Sequence, residues 1–181
     1  MKRFFLVLLG CISILNVGFA EVRTLDIGIG SCLFSASGNL NLKGIPYEID
    51  LKARIQKSVS GWEIDYCLFL PDLSDDDSLG SLKIHSLWLM RGYRFDAFSL
   101  VWGLYAGFGL GLVNDKVEGK ESEYGSLGFR SDITAEVYKN QNVSVSTGIS
   151  YRGMPLRETG EYTDRVGLSL SISRRFTHSV R

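Results

Sequence analysis

Hydrophobic and polar residues alternate with period two along most of the chain after residue 24, which is the periodicity of a β-strand. The clearest case is segment 98–113, where one face is apolar from Phe98 to Leu112 and the other is mostly glycine around Tyr105. A helix does not separate residues with period two, and glycine costs a helix roughly 1 kcal/mol per residue. Glycine inside a strand marks a bend or a close backbone approach. The segment therefore predicts a long, curved strand with an apolar outer face and a crowded inner face.

Seven further segments alternate in the same way, so that eight strands are predicted, at 24–34, 47–56, 62–70, 81–95, 98–113, 127–137, 142–152 and 165–176. Segment 81–95 has apolar residues on both faces, and a β-bulge near 87–90 is predicted to reconcile its two halves.

The connections between these segments alternate in length. Short turns are predicted at 57–61, 96–97 and 140–141, and long loops at 36–46, 71–80, 114–124 and 153–160. Antiparallel neighbours can be joined by tight turns. Strict alternation then places all the long loops at one end and both termini at the other. The pattern predicts an all-β fold, an eight-stranded antiparallel up-and-down transmembrane β-barrel.

The N-terminus has the pattern of an export signal. Lys2 and Arg3 precede an apolar run that ends in Gly18-Phe19-Ala20. A basic start, an apolar core and small residues before the cleavage point are typical of a secretory signal peptide. We predict a signal peptide at 1–20 and one outer-membrane β-barrel domain at 21–181. A retained membrane anchor is the alternative, although the run is somewhat short for a spanning helix of about 20 residues.

Charge and cysteine content exclude some functions. The chain has 20 basic and 20 acidic residues, and removal of Lys2 and Arg3 with the leader leaves 18 basic against 20 acidic. This balance does not support nucleic-acid binding.

Cys32 and Cys67 are predicted to lie two strands apart, or about 10 Å. A disulfide requires Cα atoms within roughly 7 Å. The two cysteines are therefore predicted to be thiols.

The composition of the two strand faces indicates which face lies outside the barrel and which lies inside. The apolar face is continuous around nearly all strands, whereas the polar face carries the glycines and serines that suit a tight interior. Aromatic residues such as Tyr47, Trp62 and Phe176 lie near strand ends, as in the interfacial girdles of membrane barrels. These features favour a membrane barrel over the alternative, a secreted lipocalin-like carrier with an apolar interior.

Two sequence stretches resemble a known family. Gly92-Tyr93-Arg94-Phe95 followed by a tight turn and the glycine-rich segment 103–111 is similar to the small eight-stranded bacterial outer-membrane β-barrels, the OmpA-, OmpX- and OmpW-like proteins. Arg174-Arg175-Phe176 resembles the terminal assembly signal of that family, although here residues 177–181 follow the aromatic. The resemblance implies a bacterial outer-membrane location, interaction with outer-membrane lipid and with the barrel assembly machinery, and adhesive, tethering or conducting roles.

Charged residues on the predicted inner faces form the candidate site. Both signs occur there, and the set comprises Glu48, Asp50, Lys52, Arg54, Glu63, Asp65, Arg130, Asp132, Glu136, Arg152 and Arg165. Eight strands leave an interior just wide enough for side chains, and unpaired buried charges are costly. A lumen plugged by paired charges is therefore predicted, with a narrow pore for small solutes as the alternative.

No pattern indicates an enzyme. Neighbouring residues on a strand point to opposite faces, so His85 and Ser86 cannot form a catalytic dyad. The 71–80 loop contains a cluster of acidic residues, namely Asp72, Asp75, Asp76 and Asp77. Their spacing matches no EF-hand loop, and we interpret the cluster as a solvated outer loop. We expect no cofactor and no bound metal, and we expect a monomer with a structural or surface-interaction role through its outer loops, where an extracellular ligand or surface partner can bind.

Overall fold

The protein is an antiparallel barrel of eight strands. The computed structural model describes residues 24–37, 46–57, 59–71, 79–117, 120–155 and 164–177. The strands are β1 (Thr24–Ser37), β2 (Tyr47–Lys57), β3 (Ser60–Phe69), β4 (Leu79–Ala97), β5 (Leu100–Val117), β6 (Lys120–Lys139), β7 (Val143–Gly153) and β8 (Asp164–Thr177). Each strand pairs with the next, and β8 pairs with β1 to close the barrel. The predicted fold class is confirmed.

The first and last strands meet along their whole length. Pairing runs from Thr24 with Thr177 to Ser37 with Asp164. The start of β1 and the end of β8 therefore lie together, at the same end as the connections that follow β2, β4 and β6. We call this the short-turn end and the opposite one the long-loop end. No helix among the described residues has the length and apolar character that crossing a bilayer requires.

The turn between β4 and β5 lies two residues later than predicted. Ala97 pairs with Leu100, and the two residues between them, Phe98 and Ser99, have φ values of 53° and 62°. Two successive residues with positive φ are the signature of a type I′ hairpin turn, which usually carries Asn-Gly. The turn prediction at 96–97 was wrong because Phe98-Ser99 gives no such signal. Strand β5 accordingly starts at Leu100 instead of Phe98.

The charged segment 114–124 is mostly strand, so the prediction of a long loop there was wrong. Asn114 pairs with Glu123, and Val117 pairs with Lys120. Strands β4, β5 and β6 have 19, 18 and 20 residues, against 11 in β2 and 10 in β3. The three long strands extend past their neighbours at the long-loop end. There, charged side chains are compatible with a strand because they can remain in water.

The predicted β-bulge at 87–90 is also wrong. Strands β4 and β5 pair without interruption from Ser81 to Ala97, and a shift in register occurs between Leu79 and Ser81 instead. The apolar residues on both faces of β4 have a different explanation, because Trp88 and Met90 are buried inside the barrel.

The barrel is apolar outside. Large exposed aliphatic side chains include Ile27, Ile29, Leu33, Ile49, Leu51, Leu89, Leu104, Leu110, Leu127, Ile133, Ile149, Leu168, Leu170 and Ile172. Cys32 and Cys67 are buried and are not joined by a disulfide, as predicted. The predicted leader at 1–20 and the acidic residues Asp72, Asp75, Asp76 and Asp77 lie outside the described residues.

Candidate functional site

The alternation of each strand turns its charged residues into the barrel. All eleven predicted residues point inward and are at most 8% exposed, as are Asp26 and Arg175. The inward set named from the sequence is Glu48, Asp50, Lys52, Arg54, Glu63, Asp65, Arg130, Asp132, Glu136, Arg152 and Arg165. Because they face one another across a narrow space, charges that are far apart in sequence come into contact.

Arg130 occupies the middle of the interior and joins two sides of the barrel. Its Nη1 donates to Asp65 Oδ2 at 2.5 Å, and its Nη2 donates to Asp132 Oδ2 at 2.6 Å. Nη1 also lies 3.3 Å from Cys67 Sγ. Lys52 Nζ lies 3.7 Å from the same Asp65 oxygen. Since β3 and β6 are not neighbours in the sheet, this guanidinium spans the lumen.

A second set of ion pairs lies toward the long-loop end. Glu48 is shared by two arginines, Arg152 and Arg165, and Arg165 Nη1 donates to Glu48 Oε2 at 3.1 Å. Arg152 also donates to both oxygens of Asp50 at 3.3 Å. The Arg165 guanidinium lies 4.1 Å from the centre of the Phe69 ring. Both arginines are fully buried, so their guanidinium groups are shielded from bulk solvent.

A third set lies toward the short-turn end. Arg54 Nε donates to Glu63 Oε2 at 2.7 Å, and its guanidinium stacks on Tyr105, 4.4 Å from the ring centre. Arg175 donates to both oxygens of Asp26, at 2.8 and 2.7 Å. Both ion pairs are charge-assisted, and the Arg175–Asp26 pair is also two-pronged, which makes it directional as well as strong.

Glu136 is the shared acceptor at the mouth of this end. Arg94 pairs with it and with Gln56, and Arg175 Nη2 approaches it at 3.4 Å. Lys139 Nζ lies 3.9 Å from its other oxygen.

A cavity of about 580 Å³ opens at the short-turn end, lined by Thr24, Gln56, Val59, Arg94, Phe95, Asp96, Val101, Lys139 and Arg175. The charges of this end therefore border water.

The long-loop end is filled by an apolar cluster that the sequence analysis did not predict as such. Its buried members include Phe69, Leu82, Ile84, Trp88, Met90, Val113, Tyr124 and Met154. Glycines on β5 and β6 make room for them: a Cβ on Gly109 would lie 2.5 Å from the Trp88 ring, and one on Gly111 would lie 2.4 Å from the Met154 sulfur. The recurrence of glycine opposite bulky residues was the signal available in the sequence.

The opposite wall of the lumen is lined by small side chains. Apart from Arg152, Arg165 and Arg175, the inward positions of β7 and β8 are serine or glycine, and Ser144, Ser146, Ser150, Ser169 and Ser171 are each at most 9% exposed. The three arginines extend from this wall to carboxylates on β1 and β2. The interior is thus asymmetric: the bulky apolar side chains come mainly from β3–β6, whereas β7 and β8 supply arginines separated by small residues.

Two groups of described residues have the side-chain types of a metal site or a catalytic dyad, and neither has the matching geometry. Glu48, Asp50 and Cys67 place possible ligand atoms within 4.8 Å of one another, but Arg152 pairs with both carboxylates. Ser86 points inward and accepts from Trp88 Nε1 at 2.8 Å. His85 points outward and is hydrogen-bonded to the Tyr66 hydroxyl at 2.6 Å. His85 and Ser86 therefore lie on opposite faces of β4.

No known family model matches the sequence, and no curated protein matches it. Solved structures do match. Neisserial surface protein A superposes with a TM-score of 0.66 at 19% identity, covering 84% of this chain and 97% of that one. The outer membrane protein OprG from Pseudomonas aeruginosa gives 0.59 at 10% identity, with 87% and 97% covered. Ail, the attachment invasion locus protein of Yersinia pestis, gives 0.55 at 16% identity, with 86% and 100% covered.

The chain has the fold of the small bacterial outer-membrane β-barrels. The matches cover nearly the full length of each relative, so the whole barrel is shared. At 10–19% identity the likeness concerns the fold alone.

Proposed function

We propose that this protein is an integral membrane barrel of a bacterial outer membrane, with a closed interior and a structural or surface-interaction role at its long-loop end. The exposed apolar surface of the barrel carries this proposal. Leu51, Leu110 and Leu170 are each more than half exposed, on three different strands. A soluble protein rarely exposes so large a continuous apolar patch. Lipid satisfies such a surface, and the closed sheet leaves no unpaired edge in the bilayer.

Aromatic side chains at the short-turn end support the same placement. Exposed Tyr93, Phe95, Phe98, Tyr138 and Phe176 lie close to the tight turns, and we call them the aromatic girdle. Amphipathic and aromatic rings prefer the interface between lipid and water. A lipocalin-like carrier needs an apolar interior and a polar exterior. The described residues have the opposite arrangement.

A closed interior is supported by the ion pairs and by the apolar cluster. Arg130, Arg152 and Arg165 are fully buried and paired with carboxylates, and Trp88 and Phe69 fill the long-loop half. Transport through this half requires ion pairs and rings to move together. The proposed activity therefore lies on the surface and not in the lumen.

The membrane assignment is tested by a pair of substitutions on one strand. Leu51→Arg places a charge on the outer face and is expected to impair refolding into lipid vesicles by about 2–4 kcal/mol if Leu51 lies near the midplane. Ala53→Leu, on the same face, is the control and is expected to refold like wild type. Vesicle flotation measures insertion. Equal flotation of wild type and Leu51→Arg, or wild type that stays in buffer without detergent, would disprove the proposal.

A narrow conduit is the second candidate, because a cavity of about 580 Å³ already opens at the short-turn end. Planar-bilayer recording separates the two. The closed barrel predicts no steady conductance for wild type. Trp88→Ala, which removes the largest fully buried side chain of the long-loop half, is expected to give measurable openings. Stable wild-type channels would favour the conduit.

A further inference from the structure

The described arginines fall into two groups according to the face on which they lie. Those that point inward are all paired with carboxylates: Arg54, Arg94, Arg130, Arg152, Arg165 and Arg175. Arg91 and Arg174 point outward and are exposed. Neither is paired with a carboxylate of the described residues; their contacts are with aromatic rings and one hydroxyl. A permanent positive charge on an otherwise apolar surface needs an anionic partner.

Arg91 is held in a defined position on the outer face of β4. Its guanidinium carbon lies 4.9 Å from the centre of the Trp62 ring, on the neighbouring strand. Its Nη2 donates to Ser60 Oγ at 3.2 Å. Ser60 is the first residue of β3, directly after a tight turn. The side chain therefore reaches from the apolar surface toward the short-turn rim.

Arg174 repeats this arrangement on the other side of the barrel. Its guanidinium carbon lies 5.3 Å from the centre of the Phe176 ring, two residues further along β8. Arg174 pairs with Val143, the first residue of β7. Both outward arginines thus lie beside a tight turn and against an aromatic ring at the same end of the barrel. A cation over such a ring is attracted to its face, and the contact limits its freedom.

The position near the rim matters energetically. An arginine facing lipid costs about 2–4 kcal/mol at the bilayer midplane but only about 0–1 kcal/mol near the interface. Long basic side chains reach the interface while their stems stay in the apolar layer. At that level the anions available to an outward guanidinium are the phosphate groups of the lipids. The planar fork of arginine matches phosphate oxygens in a two-pronged geometry.

We propose that Arg91 and Arg174 form two phosphate-binding sites for phospholipids of the leaflet at the short-turn end. This inference rests on the proposed membrane location. In each site the guanidinium binds the phosphate, and the aromatic ring beside it orients the guanidinium. Ser60 adds a hydroxyl next to the Arg91 site. The two sites fix the depth and the tilt of the barrel, because they tie opposite sides of its wall to the headgroup level.

The test measures retained phospholipid by native mass spectrometry. Four proteins are refolded in mixed micelles containing phosphatidylglycerol: wild type, Arg91→Gln, Arg174→Gln and the double variant. Each is then freed from its micelle in the gas phase of the mass spectrometer. Lys83→Gln is the matched control, since it removes an exposed positive charge from the same strand as Arg91, toward the long-loop end. Gel mobility with and without heating confirms that each variant is folded.

Wild type and Lys83→Gln are expected to retain phosphatidylglycerol equally. The apparent affinity is expected to fall about fivefold in each single variant, with Arg91→Lys intermediate because it keeps the charge but not the fork. Equal retention by the double variant, or an equal loss in Lys83→Gln, would overturn the proposal. Release of the lipid by millimolar inorganic phosphate would assign the sites to a free anion instead. Failure of wild type to enter vesicles at all would disprove the proposed function, whereas unchanged variants that still insert would disprove only this inference.

Discussion

The half of the interior next to the short turns is lined by charged side chains around an open cavity, whereas the half next to the long connections combines buried ion pairs with tightly packed rings. Arg94 and Glu136 meet at the edge of a space of about 580 Å³. Trp88 and Met154 at the other end are fully buried and leave no room beside the glycines that face them. Among the described residues, the interior is therefore open toward the short turns and densely packed toward the long-loop end.

This difference affects how each half tolerates change. Ion pairs bordering water can exchange a protein partner for solvent, so each contributes modestly. A buried charge that loses its partner has no such replacement, and removing one member of a buried pair costs several kcal/mol.

The largest effect is expected from Arg130→Met. This substitution leaves Asp65 and Asp132 without their main partner in a site where Arg130 itself is fully buried. The free energy of unfolding is expected to fall by about 3–5 kcal/mol. Urea titration of the protein refolded in detergent micelles measures it. A loss below that of Arg94→Gln would show that the middle of the barrel is as wet as the cavity.

A smaller effect is expected from Gly107→Leu, which tests how tightly the walls pack. A Cβ at this position would lie 2.1 Å from the Leu89 carbonyl oxygen, so the backbone of β4 has to move. We expect a loss of about 1–3 kcal/mol in the same titration. Ala106→Leu is the control on the outer face of the same strand and is expected to change little. Wild-type stability of Gly107→Leu would indicate a loose, open lumen and favour the conduit.

A weaker effect is expected from Arg94→Gln, at the mouth of the cavity. Arg175 and Lys139 remain near Glu136 in this variant, and water can reach the site. A glutamine can still donate to Glu136, so the cost is expected to be about 1 kcal/mol, although both side chains of the pair are less than 10% exposed. If urea titration gives a loss as large as that of Arg130→Met, the cavity is not hydrated and the contrast between the two halves disappears.

The smallest energetic change is expected from Thr24→Cys, which serves as an accessibility probe. Thr24 lines the cavity, whereas Cys32 and Cys67 are fully buried. A water-soluble maleimide is expected to label the new thiol in the folded protein and to label Cys32 and Cys67 only after unfolding. Peptide mass spectrometry identifies the labelled sites. Rapid labelling of Cys67 in the folded state would mean that the long-loop half of the interior is open to water.

The inward charges could be predicted because alternation within each strand fixes the face of every residue. Glu48, Asp50 and Lys52 needed only the correct register of β2 to be placed inside. Which charges pair across the lumen could not be predicted, because Arg130 meets Asp65 from a strand that is not its neighbour in the sheet. That contact depends on closure of the barrel, which no local pattern encodes.

Three local features of the structure could not be predicted from the sequence, each for a different physical reason. The turn at Phe98-Ser99 uses residues that rarely adopt positive φ, so composition pointed elsewhere. The charged residues after Val113 suggested a loop. A strand that extends past the apolar belt at the long-loop end can carry such residues, because they remain in water there. The face on which Trp88 lies was ambiguous. The interior contains apolar as well as charged side chains, so the polarity of a residue does not by itself show whether it points inward.

The seam between β1 and β8 determines the order in which the barrel can be assembled. Its pairs join residues near the two ends of the described chain, from Thr24 with Thr177 onward, so they form only after every other strand is available. Contacts between such distant residues are slow to form because the intervening chain must first be brought together. Until then both strands are open edges beside an apolar surface, which is the arrangement that aggregates most readily. We therefore propose that assembly of this chain requires a partner that shields its two unpaired edges until β8 pairs with β1.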